Sequence, residues 1–290
     1  LAAWLALVLL MAMSKTTIHQ EDMLRPYLSF ECFGQIPQVK LSTKEPCPLM
    51  TQNRKIPEFT EAIRSVRMRV ERAMDSDDKK VLLISSAIPS EGKSTISINL
   101  AITMAQRGKR VLLMDCDLRN PSVAKTLSTP AHPLTNENSL VDVLSGKIRV
   151  GDAIQATGLK YLQVITGGHG KNADVSMQLS QERMARLIKA AKELYDYVIL
   201  DTPPCSMLAD ASELASLAEC ALMVIRQDYA SRDQILDGVS RLNDSKLPLI
   251  GCAMNIVRRG ASGGYGYGYG YGYGYGYGYG YGYGYGQEKK

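Results

Sequence analysis

Residues 81–95, with the sequence VLLISSAIPSEGKST, decide the fold. The apolar run Val81–Ile84 predicts a strand that is buried on both faces of a sheet, and the final residues predict the start of a helix. A loop between a strand and a helix that ends in Gly92, Lys93 and Ser94 is typical of a phosphate-binding loop. The sequence therefore predicts a nucleotide site at the carboxyl end of this first strand.

The residue types in this loop suit the binding of ATP with Mg²⁺. Backbone N–H groups at the helix start, with the positive end of the helix dipole, bind phosphate. Lys93 supplies a positive charge for the β- and γ-phosphates, and the Ser94 hydroxyl is a ligand for Mg²⁺. Ala87 stands where the common pattern has its first glycine, so this position must have a negative φ.

Apolar runs and helical segments alternate through the rest of the chain. The further runs, all without polar alternation, are Val111–Met114, Tyr197–Leu200, Ala221–Ile225 and Leu249–Met254. The helical segments that separate the runs are Ser94–Arg107, Gln181–Leu194, Ala211–Leu217 and Asp233–Leu242. Continuous apolar strands that alternate with helices predict a doubly wound α/β fold with a mostly parallel sheet.

Three aspartates end two of these strands. Asp115 and Asp117 follow the run Val111–Met114, and their spacing places both carboxylates on one side of an extended chain. Paired acids suit the binding of Mg²⁺ and the removal of a proton from a hydroxyl group. Asp201 ends the run Tyr197–Leu200, as expected for an acidic partner of a magnesium site beside a phosphate-binding loop.

The chain closes on a ladder in which tyrosine alternates with glycine. Glycine at every second position maximises chain entropy and leaves the rings without apolar neighbours, so residues 259–290 are predicted to be disordered. Beside phosphate-transfer machinery, these side chains become candidate phosphate acceptors. The candidates are Tyr265, Tyr267, Tyr269, Tyr271, Tyr273, Tyr275, Tyr277, Tyr279, Tyr281, Tyr283 and Tyr285.

The first part of the chain predicts a membrane connection. Leu1–Met13 is wholly apolar but shorter than the roughly 20 residues that span a bilayer. Two interpretations compete, the end of a truncated transmembrane helix and a short interfacial anchor, and we favour the first. Residues 14–56 lack sustained periodicity and are interpreted as a juxtamembrane linker.

A helix is predicted to begin at Pro57, since proline is accepted in a first turn. Its apolar stripe consists of Phe59, Ile63, Val66 and Val70. Glu61, Arg64 and Arg67 are predicted to lie away from this stripe, on the outward side.

Composition excludes some functions. A net charge of +5, without a run of five basic residues, argues against nucleic-acid binding. The six cysteines show no metal-binding spacing and are interpreted as reduced thiols.

Taken together, AIPSEGKST (87–95), LLMDCDLRNP (112–121), VILDTPP (198–204) and the terminal tyrosine cluster resemble the bacterial tyrosine kinase family, the cytoplasmic autokinases of capsule and exopolysaccharide synthesis. The resemblance covers residues 57–258 and extends to residues 139–154 and 251–255. Residues 21–37 also resemble the linker after the last transmembrane helix of members fused to a polysaccharide co-polymerase.

The resemblance implies a role for each matching residue. Gly92, Lys93, Ser94 and Thr95 would bind the nucleotide phosphates, and Ser94, Asp117 and Asp201 would hold Mg²⁺. The catalytic set would be Lys93, Asp115, Asp117 and Asp201, with Asp115 as the general base. Glu61, Arg64 and Arg67 match the ExxRxxR motif through which subunits form a homo-oligomeric ring.

The resemblance also implies partners and a location. The partners would be a membrane co-polymerase or activator domain and a cognate tyrosine phosphatase, at the cytoplasmic face of the bacterial cell membrane. No nucleic acid is expected as a partner.

Two other functions stay open from sequence. A membrane-associated partitioning or positioning ATPase of the deviant P-loop group would carry a signature lysine where this chain has Ile88. Alternatively, the ladder is a self-associating low-complexity segment, which is compatible with kinase activity.

Overall fold

The computed structural model describes residues 17–23, 25, 30–40, 49, 56–168, 182–205 and 214–258, together with Trp4. Within these ranges, one sheet has the strand order β1-β8-β7-β2-β6-β3-β5-β4. The strands are β1 (Cys32–Pro37), β2 (Val81–Ser86), β3 (Val111–Asp115), β4 (Gln155–Ala156), β5 (Leu162–Ile165), β6 (Tyr197–Asp201), β7 (Cys220–Arg226) and β8 (Leu249–Val257). All neighbours are parallel except β4 and β5. The predicted doubly wound, mostly parallel fold is confirmed.

Helices cover both faces of the sheet. They are α1 (Pro57–Asp75), α2 (Lys93–Gln106), α3 (Val123–Leu127), α4 (Leu140–Ser145), α5 (Val150–Ala153), α6 (Glu182–Leu194) and α7 (Arg232–Asp244). One apolar cluster contains side chains of α1, α2 and α3, and a second contains side chains of α4, α6 and α7. All five predicted strands are present, each extended by one to three residues. The predicted helix Ala211–Leu217 lies partly outside the described residues.

The structure adds a strand that the sequence did not predict. We assigned residues 14–56 to a linker, but β1 lies within them and pairs with β8 at the edge of the sheet. Phe33 and Ile36 are buried against α1, and Ile18 is buried on the opposite face of the sheet. Part of the predicted linker is therefore packed into the core of the α/β domain.

The apolar stripe of α1 is confirmed, but one residue beside it was placed wrongly. Arg64 is exposed and pairs with Glu61 at 2.7 Å. Arg67 was predicted to point outward, yet it is buried, and its guanidinium lies 2.5 Å from a carboxylate oxygen of Glu71. Burial raises the pKa of Glu71 in spite of this nearby charge.

The parallel register brings the ends of three strands together. Asp201 pairs with Ile84 of β2 on one side and with Asp115 of β3 on the other. The loop that follows β2 and the carboxylates that end β3 and β6 therefore meet at the carboxyl edge of the sheet, where open α/β sheets bind ligands.

Two predictions fall on parts of the chain that the structure leaves undescribed. The interpretation of Leu1–Met13 as the end of a transmembrane helix lies outside the described residues, Trp4 aside, and so does the whole tail of residues 259–290. In the described part of the chain, no helix combines the length and apolarity needed to cross a membrane.

Candidate active site

The phosphate-binding loop has a backbone that only glycine accommodates at one position. Gly92 precedes α2 with φ of +91°. A Cβ atom there would lie 2.1 Å from the side-chain nitrogen of Asn255, which donates a hydrogen bond to the carbonyl of Glu91. Ala87 stands where the common pattern has its first glycine, and it is not among the residues with positive φ, as expected from the sequence.

A buried glutamate fastens this loop to the neighbouring strand. Glu91 is fully buried, and its carboxylate accepts hydrogen bonds from the backbone N–H of Ile88 at 2.9 Å and of Arg226 at 3.1 Å. Burial raises the pKa of Glu91 to about 7, against the effect of these donors. The Arg226 guanidinium also donates to the carbonyl of Ser90. Loop and β7 are therefore held together at the start of α2.

The lysine of the loop meets one of the predicted acids directly. The ammonium nitrogen of Lys93 lies 2.9 Å from a carboxylate oxygen of Asp117, and both side chains are largely buried. Burial opposes the charge on Lys93, but Asp201 and Asp117 outweigh that effect and raise its pKa. Lys93 is thus kept protonated, as the binding of phosphate requires.

Asp115 and Asp201 are fully buried. The backbone N–H groups of Ser122 and Val123, at the start of α3, donate to Asp115 at 2.8 and 2.9 Å. Burial raises the pKa of Asp115 to about 8 and that of Asp201 to about 6. Lys93 and a hydrogen bond with Ser94 limit the rise at Asp201.

The donor set fits a divalent cation. One carboxylate oxygen of Asp115 and one of Asp201 are buried without a hydrogen-bond partner. Asp201 is within hydrogen-bonding reach of the Ser94 hydroxyl, and a hydroxyl and a carboxylate beside a phosphate loop are ligands that Mg²⁺ prefers. Three carboxylates face a single lysine here, so the site carries an excess of negative charge that a cation would balance.

Sequence reasoning missed several residues of the site. Glu91 and Asn255 are two of them. Ser97 is a third, and its hydroxyl lies 3.1 Å from a carboxylate oxygen of Asp201. Gly167 is a fourth. A Cβ atom on Gly167 would lie 3.1 Å from the backbone oxygen of Asp115, so only glycine fits without displacement. Ser97 lies one turn after Lys93 on α2, a spacing that points it at the same edge of the sheet.

Of the other predicted site residues, one group lies at the site, one lies on α1 and one is outside the described residues. Gly92 caps α2, and Lys93, Ser94 and Thr95 form its partly buried first turn beside the three aspartates. Glu61, Arg64 and Arg67 lie on α1. The tyrosines of the tail are outside the described residues.

Comparison with known proteins agrees with this geometry. Residues 73–248 match the model of an AAA domain family. The tyrosine-protein kinase YwqD of Bacillus subtilis is 37% identical over 196 residues, which cover 68% of this chain and 80% of the relative. The chain belongs to the bacterial tyrosine kinase family. This family assignment favours the kinase interpretation over the partitioning ATPase.

Other bacterial tyrosine kinases show the same relation. The tyrosine-protein kinase wzc of Salmonella typhimurium is 34% identical over 203 residues, but the match spans 70% of this chain and only 27% of that relative. The kinase domain of the Escherichia coli tyrosine kinase ETK superposes with a TM-score of 0.76 at 27% identity, over 87% of this chain and all of that domain. The similarity is therefore to the kinase portion of the longer relatives.

Proposed function

We propose that this chain is an ATP-dependent protein-tyrosine autokinase that phosphorylates the tyrosines of its own C-terminal ladder in trans. One observation supports the proposal above all: beside the phosphate-binding loop, Lys93 interacts with Asp115, Asp117 and Asp201. The same chain supplies eleven closely spaced tyrosines. Glycine, the residue with the widest range of allowed backbone conformations, alternates with them in the sequence, as suits a segment that offers several tyrosines to a neighbouring subunit.

The chemistry is assigned to groups of this chain as follows. The phenolic oxygen of a tail tyrosine attacks the γ-phosphorus of ATP, the bond to the leaving ADP breaks, and Asp115 accepts the phenolic proton. Asp115 suits this role in its ionised form, because its raised pKa of about 8 lies closer to the pKa of a phenol than that of an ordinary carboxylate does. Lys93 and the first N–H groups of α2 stabilise the charge on the phosphates.

Mg²⁺, held by Ser94 and Asp201, would supply further charge stabilisation at the phosphates. Asp117 was expected as a third ligand. Its hydrogen bond to Lys93 supports a second role, in which it positions the lysine before the nucleotide arrives.

The cellular setting is also part of the proposal. We assign the chain to the cytoplasmic face of the bacterial cell membrane, beside a co-polymerase or activator domain, with a tyrosine phosphatase that reverses the reaction. The resemblance to the family and the apolar stretch at residues 1–13 support this setting. Regulation of capsule or exopolysaccharide synthesis follows from membership of the family.

The experiment is phosphotyrosine mapping after incubation with Mg-ATP. Purified wild-type chain should acquire phosphate on residues 265–285, while Lys93→Met should acquire none and keep its circular dichroism spectrum. Lys160→Met is the matched control, because Lys160 is exposed before β5, at the opposite edge of the sheet from the phosphate loop.

Transfer in trans is tested by mixing two chains, neither of which can phosphorylate itself: the first lacks the catalytic lysine and the second lacks the acceptor tail. One is the Lys93→Met chain with its tail, and the other is the wild-type chain cut after Arg258. Phosphate on the Lys93→Met tail supports transfer between subunits. A wild-type chain that hydrolyses ATP and leaves every tyrosine unmodified would instead favour the ATPase alternative.

A further inference from the structure

Two cysteines face each other across the edge of the sheet. Cys32 of β1 and Cys252 of β8 are register partners on adjacent parallel strands. The N–H of Cys252 donates to the carbonyl of Glu31 at 2.9 Å, which fixes the two backbones next to each other. Both side chains belong to the same face of the sheet, since Cys252 is part of the apolar cluster there and Cys32 packs against it.

The two thiols interact directly. They share a side-chain hydrogen bond, and this bond lowers the pKa of Cys32 while it raises the pKa of Cys252. Cys32 is partly buried and Cys252 is buried. The pair therefore combines a partly buried thiol of lowered pKa with a buried thiol on the adjacent strand, as in dithiol pairs that exchange with disulfides.

The backbone separation suits a covalent bond. Adjacent strands lie about 4.8 Å apart, and disulfides join Cα atoms separated by about 4.4–6.8 Å. The register shifts between Cys32 and Gly34, which marks an irregularity beside the pair. Such an irregularity can change the direction in which a side chain of the strand points.

The remaining thiols in the described part of the chain have a different environment. Cys116, Cys205 and Cys220 are all fully buried. Burial raises the pKa of Cys205 to about 11 and that of Cys220 to about 12, and it raises the pKa of Cys116 well above its usual range. These three thiols serve as internal controls in any oxidation experiment.

We propose that Cys32 and Cys252 form a reversible disulfide that locks β1 onto β8. The oxidant is a low-molecular-weight disulfide such as oxidised glutathione. The Cys32 thiolate attacks one of its sulfurs, the S–S bond breaks, and one glutathione thiolate leaves. Cys252 then loses its proton to water and attacks the sulfur of Cys32, and the second glutathione leaves as a thiolate. Two protein thiols are thereby oxidised and one glutathione disulfide is reduced to two thiols.

The bond would join two functional segments of the chain. β1 continues the residues that follow the N-terminal apolar stretch, and β8 leads into the tyrosine tail. Asn255, three residues after Cys252, donates a hydrogen bond to Glu91 in the phosphate-binding loop. Oxidation would therefore hold the N-terminal segment against the strand that supports the loop.

The experiment equilibrates the full chain with oxidised and reduced glutathione at a series of ratios, blocks free thiols with iodoacetamide, and maps tryptic peptides without reductant. Cys32 lies alone in the peptide of residues 16–40, and Cys252 lies alone in that of residues 247–258. We expect these two peptides to be cross-linked, the cross-link to disappear with dithiothreitol, and Cys205 to stay unmodified.

Two variants separate the steps. Cys32→Ser should give no cross-link, and Cys252→Ala should retain glutathione on Cys32. Hydrogen exchange at the amides of residues 32–37 should slow at least severalfold in the oxidised wild type. The proposal is overturned if both thiols remain free at every ratio, if wild-type Cys32 holds glutathione without cross-linking, or if Cys32 pairs with another cysteine.

Discussion

Asp115 and Asp201 stand side by side as register partners on adjacent parallel strands, with both carboxyl groups fully buried. Burial raises the pKa of each carboxyl group, and the neighbouring negative charge adds to the rise at Asp115. Lys93 interacts with both, so a single ammonium group offsets two acids and Asp117 as well. The site is therefore arranged to take up a proton or a cation, and this arrangement has a measurable cost.

That cost should appear in the pH dependence of stability. The pKa of Asp115 is about 8 in the folded chain and 3.8 in an ordinary exposed carboxyl group, so the folded state holds the additional proton between these values. Stability from this group is therefore lost as pH rises from about 4 to about 8. We expect Asp115→Asn to raise the free energy of unfolding at pH 8 by on the order of 2 kcal/mol, and by much less at pH 4.5.

Urea denaturation at the two pH values measures this difference. Asp152→Asn is the control, because Asp152 pairs with Arg149 on the surface, and this contact lowers its pKa. A gain in unfolding free energy for Asp115→Asn that is equal at both pH values would contradict the titration.

The same variant should lower the rate of autophosphorylation by about 10²–10⁴-fold if Asp115 is the general base.

Glycine at position 92 gives a second prediction. A Cβ atom there meets Asn255, and φ of +91° adds strain of about 1–2 kcal/mol for any other residue. Gly92→Ala should therefore distort the loop and weaken ATP binding at least tenfold, as measured by titration calorimetry. Gly151→Ala is a matched control, because a Cβ atom on Gly151 has no neighbour within 4 Å. Equal ATP affinity in both variants would show that the loop tolerates the side chain.

The sequence predicts the central strands well because each is a continuous apolar run, but it does not predict β1. The two buried side chains of this strand, Phe33 and Ile36, are three residues apart, whereas a regular strand buries every second residue. Register shifts on both sides of Gly34 and Gln35 account for this spacing. The irregular pairing with β8 thus removes the alternation by which an edge strand is recognised, and only the fold reveals it.

The site was predictable where chemistry follows from residue type and spacing, as for Lys93 and the strand-ending aspartates. Glu91 was not predictable, because its partners Ile88 and Arg226 are backbone groups, one of them on a strand distant in sequence. Arg67 was misplaced for a different reason. It follows Ile63 by four residues, so it lies at the border of the buried stripe, where Glu71 neutralises it.

Arg67 and Arg64 should therefore respond differently to truncation. Arg67→Ala leaves the partly buried carboxylate of Glu71 without its hydrogen-bonded arginine and should cost about 3 kcal/mol of unfolding free energy. Arg64→Ala removes an exposed ion pair and should cost no more than about 0.5 kcal/mol. If Arg64 contributes to a ring of subunits, only its variant will change the sedimentation coefficient at unchanged stability.

Thermal unfolding and sedimentation velocity, run on the same samples, separate the two effects. The double variant Arg67→Met with Glu71→Leu should recover most of the stability that Arg67→Ala loses, since both charges of the pair are then removed together. Equal stability losses for the two arginine variants would contradict the burial of Arg67.

Phosphorylation of the tail should weaken self-association of the proposed ring. Each phosphate adds a charge of about −1.5 to −2, while residues 259–290 offer only Arg259, Lys289 and Lys290 to balance Glu288 and the phosphates. Several phosphates on each tail would repel one another and compete for arginines such as Arg64. Sedimentation velocity should therefore show a smaller oligomer after incubation with Mg-ATP than before it. Because salt screens such repulsion, the change in oligomer size should be smaller in about 0.5 M NaCl.

The control is Lys93→Met, whose sedimentation coefficient should be the same before and after incubation with Mg-ATP. An oligomer of the same size before and after full phosphorylation of the wild type would show that assembly does not depend on the charge of the tail.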